Sequence, residues 1–165
     1  MQIFTLISWD FKRNNQFFNQ AVLNPYEYWS ELLERNGIKK YVILLTCNRV
    51  EIYLRGDYPS ELDRMNPIVS HDDQAIKHLF EVSAGLDSMS LGENEILKQV
   101  KEAYDLSLKN GKVDKVMSLI FQKAISVGKK VRSETEISKG YSGGKEYRSC
   151  EGSGKQIQIL LYDSE

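Results

Sequence analysis

At 165 residues the chain is long enough for one ordinary domain with a real core. Apolar residues make up 41% and charged residues 27%, a globular composition that excludes a disordered chain. The formal net charge of −1 excludes a global basic field, so any contact with nucleic acid must come from a local patch.

Residues 2 to 9 read as a first strand, with Ile3, Leu6, Ile7 and Trp9 apolar. Asn24-Pro25 predicts a helix start, Asn capping the open amides and Pro standing at the first helical position. Tyr28, Trp29, Leu32 and Leu33 then share one face, most simply as core residues, and Gly37 ends the helix. Tyr41-Val42-Ile43-Leu44-Leu45 is a short apolar run of the kind that makes a buried strand. After a Cys47-Asn48 corner, residues 50 to 55 alternate apolar and charged side chains as a half-buried strand does. A strand, a helix and a second strand in this order resemble half of a split βαβ sandwich. Residues 56 to 60, Gly-Asp-Tyr-Pro-Ser, mark the turn after the hairpin.

His71-Asp72-Asp73 opens a further helix, where the acids complement its positive N-terminal end. Ile76, Leu79, Phe80 and Ala84 supply its apolar face, and Gly85 stops it. Residues 85 to 93 read as a loop, with two glycines and small polar residues but no period. Glu93-Asn94 leads into an amphipathic helix through Ile96, Leu97, Val100, Tyr104 and Leu108, closed by Asn110-Gly111. A last helix, from about Val113 to Thr135, carries the clearest basic stretch, Lys123, Lys129, Lys130 and Arg132; a solvated face and a phosphate-contacting patch both account for it. After Lys139 glycine-rich runs take over, ending in Ile157-Gln158-Ile159-Leu160-Leu161, an apolar β-prone segment able to pair with a strand edge.

The N-terminal residues lack a charged segment followed by an apolar one, so no signal peptide is expected, and no apolar run reaches membrane-spanning length. Cys47 and Cys150 have neither metal-ligand spacing nor a disulfide framework pattern, which suits a reducing cytoplasm.

The Cys47 corner carries the chemistry. A thiolate attacks activated carbonyls, a nearby cation favours the thiolate, and Arg49 can hold a carboxylate through two parallel hydrogen bonds. On these residues alone the simpler reading is a small buried cysteine beside a surface arginine, because unbridged cysteines are among the most buried residues. His78, taken alone, is likewise a hydrogen-bonded structural histidine, and His71 a surface residue near the helix start.

Thr46-Cys47-Asn48-Arg49-Val50-Glu51-Ile52-Tyr53 resembles the signature of glutamyl-tRNA reductases. A second block is similar to the same family: His78-Leu79-Phe80, then Gly85-Leu86-Asp87-Ser88-Met89-Ser90-Leu91-Gly92-Glu93, then Ile96-Leu97-Lys98-Gln99-Val100-Lys101. A third, residues 128 to 138 from Gly128 through Arg132 to Ser138, completes an ordered set. The chain departs from the family after its first strand, where Ser8-Trp9-Asp10-Phe11-Lys12-Arg13 replaces the usual Gly-x-Asn-His-x-Thr-Ala-Pro-like segment.

The resemblance implies an α+β fold: a ferredoxin-like βαβ-βαβ sandwich with helices on one face and a helical extension behind it. It implies a catalytic, glutamate-recognising domain over residues 1–138 and a tail over 139–165, truncated or out of frame, that is not family sequence. It also implies that Cys47 is the nucleophile that takes glutamate from glutamyl-tRNA as a thioester, and that His78 lines the active site. Thr46, Arg49, Ser88, Glu93 and Gln99 would bind substrate, with Arg49 on its side-chain carboxylate and Glu51 supporting Arg49. NADPH would reduce the thioester to glutamate-1-semialdehyde in the full-length enzyme. No Gly-x-Gly-x-x-Gly fingerprint is present, so no cofactor is expected on this chain. A homodimer built through a C-terminal domain and an aminomutase partner follow from the same resemblance. The rival expectation is a non-enzymatic ferredoxin-like module binding RNA or protein, with Cys47 in its core.

Overall fold

The computed structural model describes residues 4–86 and 95–134. Most of the 85–93 loop, including Ser88 and Glu93, and the 139–165 tail lie outside the described residues. The elements run in the order β1 (Thr5–Asp10), α1 (Asn15–Ala21), α2 (Tyr26–Arg35), β2 (Tyr41–Leu45) and β3 (Arg49–Leu54). A 3-10 turn (Ser60–Met65), β4 (Ile68–His71), α3 (Asp72–Ser83), α4 (Ile96–Lys109) and α5 (Lys115–Glu134) follow.

The four strands form one antiparallel sheet in the order β2-β3-β1-β4. Between β3 and β4 the chain makes the six-residue 3-10 turn, so the second of the two expected βαβ units has no α-helix in its crossover.

Helices cover both faces of the sheet rather than one. Ile7, Trp9, Ile43, Val50, Ile52 and Leu54 point into a core with Phe18 of α1 and Trp29, Leu32 and Leu33 of α2. Phe4, Leu6, Val42, Leu44 and Tyr53 point the other way, into a core with Leu79 of α3, Val100 of α4 and Phe121 of α5. Strand side chains alternate between faces, so each strand serves both cores at once. This explains why β3 is buried along its whole length instead of half-buried: its charged side chains face helices where solvent was expected.

The α2 aromatics are core residues as predicted. Trp9 and Trp29 meet at 5.1 Å between ring centroids, and the Trp9 indole N–H donates to the Met65 carbonyl at 2.8 Å. Both are fully buried, so truncating either to alanine is expected to cost about 3–5 kcal/mol. Asn24 does not cap α2. Its side-chain amide donates to the carbonyls of Gln20 and Ala21, closing α1, a helix without a strong sequence period. Gly37 ends α2 with φ at +79°, a conformation that L side chains resist.

Strand and helix directions place the site. The Tyr41 N–H donates to the Lys112 carbonyl just beyond α4, so the start of β2 lies by the end of α4. Asp72, at the start of α3, exchanges hydrogen bonds with the backbone of Phe4 before β1. The β2–β3 corner therefore sits at the opposite end of the sheet, toward which α3 runs and from which α4 departs.

Candidate active site

The corner is built by Thr46. Its hydroxyl accepts the backbone N–H groups of Asn48 (3.2 Å) and Arg49 (3.1 Å), and its own N–H donates to the Arg49 carbonyl at 2.9 Å. A threonine hydroxyl that satisfies two amides in a tight turn fixes the turn as an N-cap fixes a helix start. Neither Cys47 nor Asn48 takes a positive φ, so the corner does not draw on the turn tolerance of asparagine. The Asn48 carbonyl accepts from the Phe11 N–H at 3.0 Å and ties the corner to the chain leaving β1.

Cys47 is fully buried, among the core residues at the corner of the hairpin.

Arg49 is not a surface charge: it is 1% exposed. It shares one face of β3 with Glu51 and Tyr53, two and four residues on, as the strand period requires. The Arg49 Nη1 lies 3.1 Å from the Glu51 Oε2, the Tyr53 hydroxyl donates to Oε1 at 2.6 Å, and the His78 Nε2 meets Oε2 at 2.6 Å. Glu51 thus binds three side chains at once, two from its own strand and one from the middle of α3. Burial alone pushes the Glu51 carboxyl up. The charges of His78 and Arg49, with the hydrogen bonds from His78 and Tyr53, overcome that and hold it at about 2. Glu51 is therefore ionised throughout the physiological range, and its contact orients the His78 ring.

The structure brings Thr46, Cys47, Arg49 and, through Glu51, His78 to one corner. Gln99 lies in the first turn of α4, with its Oε1 shielded from solvent and without a hydrogen-bond partner among the described residues. Sequence reasoning passed over Tyr53, although the alternation of Arg49, Glu51 and Tyr53 on one strand face was signal enough to find it. Of the basic stretch in α5, Lys123, Lys129 and Lys130 are exposed, whereas Arg132 is half-buried and belongs to the interior of the helical layer. Among the described residues no group of acids, histidines and cysteines is arranged to hold a metal ion, and no helix is long and apolar enough to cross a membrane.

A family model described as glutamyl-tRNA(Glu) reductase, N-terminal domain, matches residues 16–135. The chain belongs to this family. Glutamyl-tRNA reductase of Thermoplasma acidophilum is 80% identical over 140 residues, covering 85% of this chain and 34% of that protein. The Thermoplasma volcanium counterpart is 63% identical over the same share of each chain. The solved glutamyl-tRNA reductase from Methanopyrus kandleri superimposes with a TM-score of 0.74 at 35% identity, covering 84% of this chain and 36% of that one. The chain thus spans about a third of the length of the curated relatives it matches. Membership of the glutamyl-tRNA reductase family bears out the resemblance read from the three sequence blocks. It also places Cys47, Arg49, Glu51, Tyr53 and His78 inside the matched region.

Proposed function

We propose that this domain takes the glutamyl group of glutamyl-tRNA onto Cys47 as a thioester. The observation that carries the reading is the buried Arg49–Glu51–His78 network set directly behind the Cys47 corner. The reduced Cys47 thiolate attacks the ester carbonyl. A carbon–sulfur bond forms, the bond from the carbonyl carbon to the tRNA ribose oxygen breaks, and that oxygen takes a proton from the His78 imidazolium. Deacylated tRNA leaves, and glutamate stays on the protein.

In this scheme Glu51 holds the His78 ring in place and balances its charge. Arg49, oriented by Glu51, is the partner for the substrate's side-chain carboxylate. Gln99, Ser88 and Glu93 line the remainder of the glutamate site, and Thr46 contributes by shaping the corner, its hydroxyl being committed to two backbone amides. The sheet order β2-β3-β1-β4 is read as a ferredoxin-like scaffold whose second crossover has shrunk to a 3-10 turn.

Among the described residues the sheet is wholly antiparallel, and no strand leads through a glycine-rich turn into a helix that could hold a pyrophosphate; we assign the nicotinamide nucleotide to the whole protein. The NADPH-dependent reduction to glutamate-1-semialdehyde, a homodimer and an aminomutase partner belong to the proposal for the whole protein, and the chemistry assigned to this domain stops at acyl transfer.

The test uses glutamyl-tRNA labelled in the amino acid, in the presence of a thiol reductant. The parent chain should retain label through a hydroxylamine-sensitive bond, and Cys47→Ser should retain none. Equal labelling of the serine variant would overturn the assignment.

A further inference from the structure

Tyr53 is the member of the Glu51 network to which the acyl-transfer step gives no part. Its ring is fully buried in the core beneath α3, α4 and α5. It stacks on Phe4 at 5.8 Å between centroids and meets the Phe121 ring edge-on at 5.4 Å. Phe4 is tied to the start of α3: its N–H donates to the Asp72 carboxylate at 3.0 Å, and its carbonyl accepts from the Asp72 N–H at 2.7 Å. A tyrosine oxygen lies in the plane of its ring, so a ring locked between two others aims the hydroxyl at one point. That point is the Glu51 Oε1, 2.6 Å away. A glutamate is less constrained. The last torsion of its side chain is broad and nearly two-fold, so its oxygens exchange places at little cost unless their partners differ. Here Oε1 takes the tyrosine, and Oε2 takes both the His78 Nε2 at 2.6 Å and the Arg49 Nη1 at 3.1 Å.

We propose that Tyr53 is a positioning residue for the proton given to the leaving tRNA: by occupying Oε1 it turns the Oε2 of Glu51 onto His78, and so sets the ring that delivers that proton. The inference rests on the functional reading above. Of the two side chains on Oε2, His78 is the one this orientation governs. Arg49 stands on the same strand as Glu51 and is 1% exposed; His78 reaches in from α3, makes the shorter contact and keeps 16% of its side chain exposed. The carboxylate on Nε2 keeps a proton there, so the proton that moves to the ribose oxygen is the one on Nδ1, and the ring returns to its Nε2–H form. Tyr53 also weakens Glu51 as a base, since its hydrogen bond favours the ionised carboxyl. Without the hydroxyl the carboxylate is freer to turn and holds the imidazolium more tightly, and both changes slow release of the proton. Tyr53 acts through Glu51 and His78 and touches no reacting atom.

The experiment compares the 165-residue parent, in the presence of a thiol reductant, with Tyr53→Phe, which deletes one oxygen and leaves the ring stack in place. Each is acylated by two donors: glutamyl-tRNA, whose ribose oxygen needs a proton to leave, and the α-(nitrophenyl) ester of glutamate, whose nitrophenolate leaves without one. Tyr53→Phe should slow single-turnover transfer from saturating glutamyl-tRNA at least fivefold, and should stay within about twofold of the parent on the nitrophenyl ester. A smaller loss with glutamyl-tRNA overturns the inference. So does equal slowing with both donors, because a hydroxyl that merely supports the fold or the glutamate site would act on both alike. A further measurement needs no variant. Once the parent's His78 has lost its charge, the nitrogen NMR shifts of its ring should show the Nε2–H form, and the Nδ1–H form overturns the inference. A parent that takes no glutamate from glutamyl-tRNA overturns the functional reading itself, and the inference with it.

Discussion

Replacing Glu51 with Gln removes one charge from the centre of the network while keeping nearly the same shape. Glu51 is 1% exposed and lies within 3.1 Å of Arg49 and 2.6 Å of both His78 and Tyr53. Its carboxyl titrates at about 2 in the fold against an ordinary 4.5. That difference makes the ionised form worth about 3 kcal/mol to the folded state, at about 1.4 kcal/mol for each tenfold. An independent route gives a similar figure: deleting one partner of a buried ion pair costs about 3–5 kcal/mol, because the other charge is left uncompensated. The sign follows from the lowered value. Ionised Glu51 contributes fully above about pH 4.5, and the contribution is lost as pH falls toward about 2. Urea unfolding of parent and Glu51→Gln at a series of pH values, read as the difference between them, isolates this group from other carboxylates. The gap should be about 3 kcal/mol at pH 7, narrow below about pH 4.5, and vanish near pH 2. A gap under about 1 kcal/mol at pH 7, or one that does not change with pH, would refute the reasoning.

Arg49→Lys should lower transfer by about 2 kcal/mol or more, roughly thirtyfold, because lysine cannot keep the planar contact with Glu51 while meeting a carboxylate; single-turnover rates at saturating tRNA will show it. Gly128→Ala should destabilise the domain by about 1–3 kcal/mol in urea unfolding, because the new methyl meets the Ser83 carbonyl at 2.5 Å and must push α5 off α3.

Most of the fold could be read in the sequence wherever a local pattern carried it. The run from Tyr41 to Leu45 is β2 as expected, and the apolar periods after Asp72, Glu95 and Asp114 became α3, α4 and α5. Gly37 and Gly85 stop helices because their φ values demand it. Local pattern failed for α1, whose seven residues are too few to show a period. It also failed for β4, whose four residues are only partly buried at the sheet edge and carry no alternating apolar face. The second covering layer was invisible for a different reason. The charges of β3 suggest solvent on one side, and only the partners they find along the strand and on α3 make burial tolerable.

The candidate site divides along the same line. The Thr46 turn and the Arg49–Glu51–Tyr53 face follow from spacings of two and three residues, so they belong to the hairpin itself. His78 is 27 residues from Glu51 in sequence, and nothing in its own helix distinguishes it from a structural histidine. What raises it is the carboxylate it meets, itself buried, ionised and already bound to Arg49 and Tyr53. An ionised glutamate in that position is costly unless every partner is present, so the network forms only when β3 and α3 dock in one register. The same requirement makes the corner rigid. A hairpin tip could otherwise rock by the ångström that separates a productive attack from an unproductive one. Here it is bound below through Arg49 and Glu51 to a helix, and from the side through Asn48 to the chain leaving β1. The buried charges that weaken a core in isolation are, at this corner, what fixes the position of the sulfur.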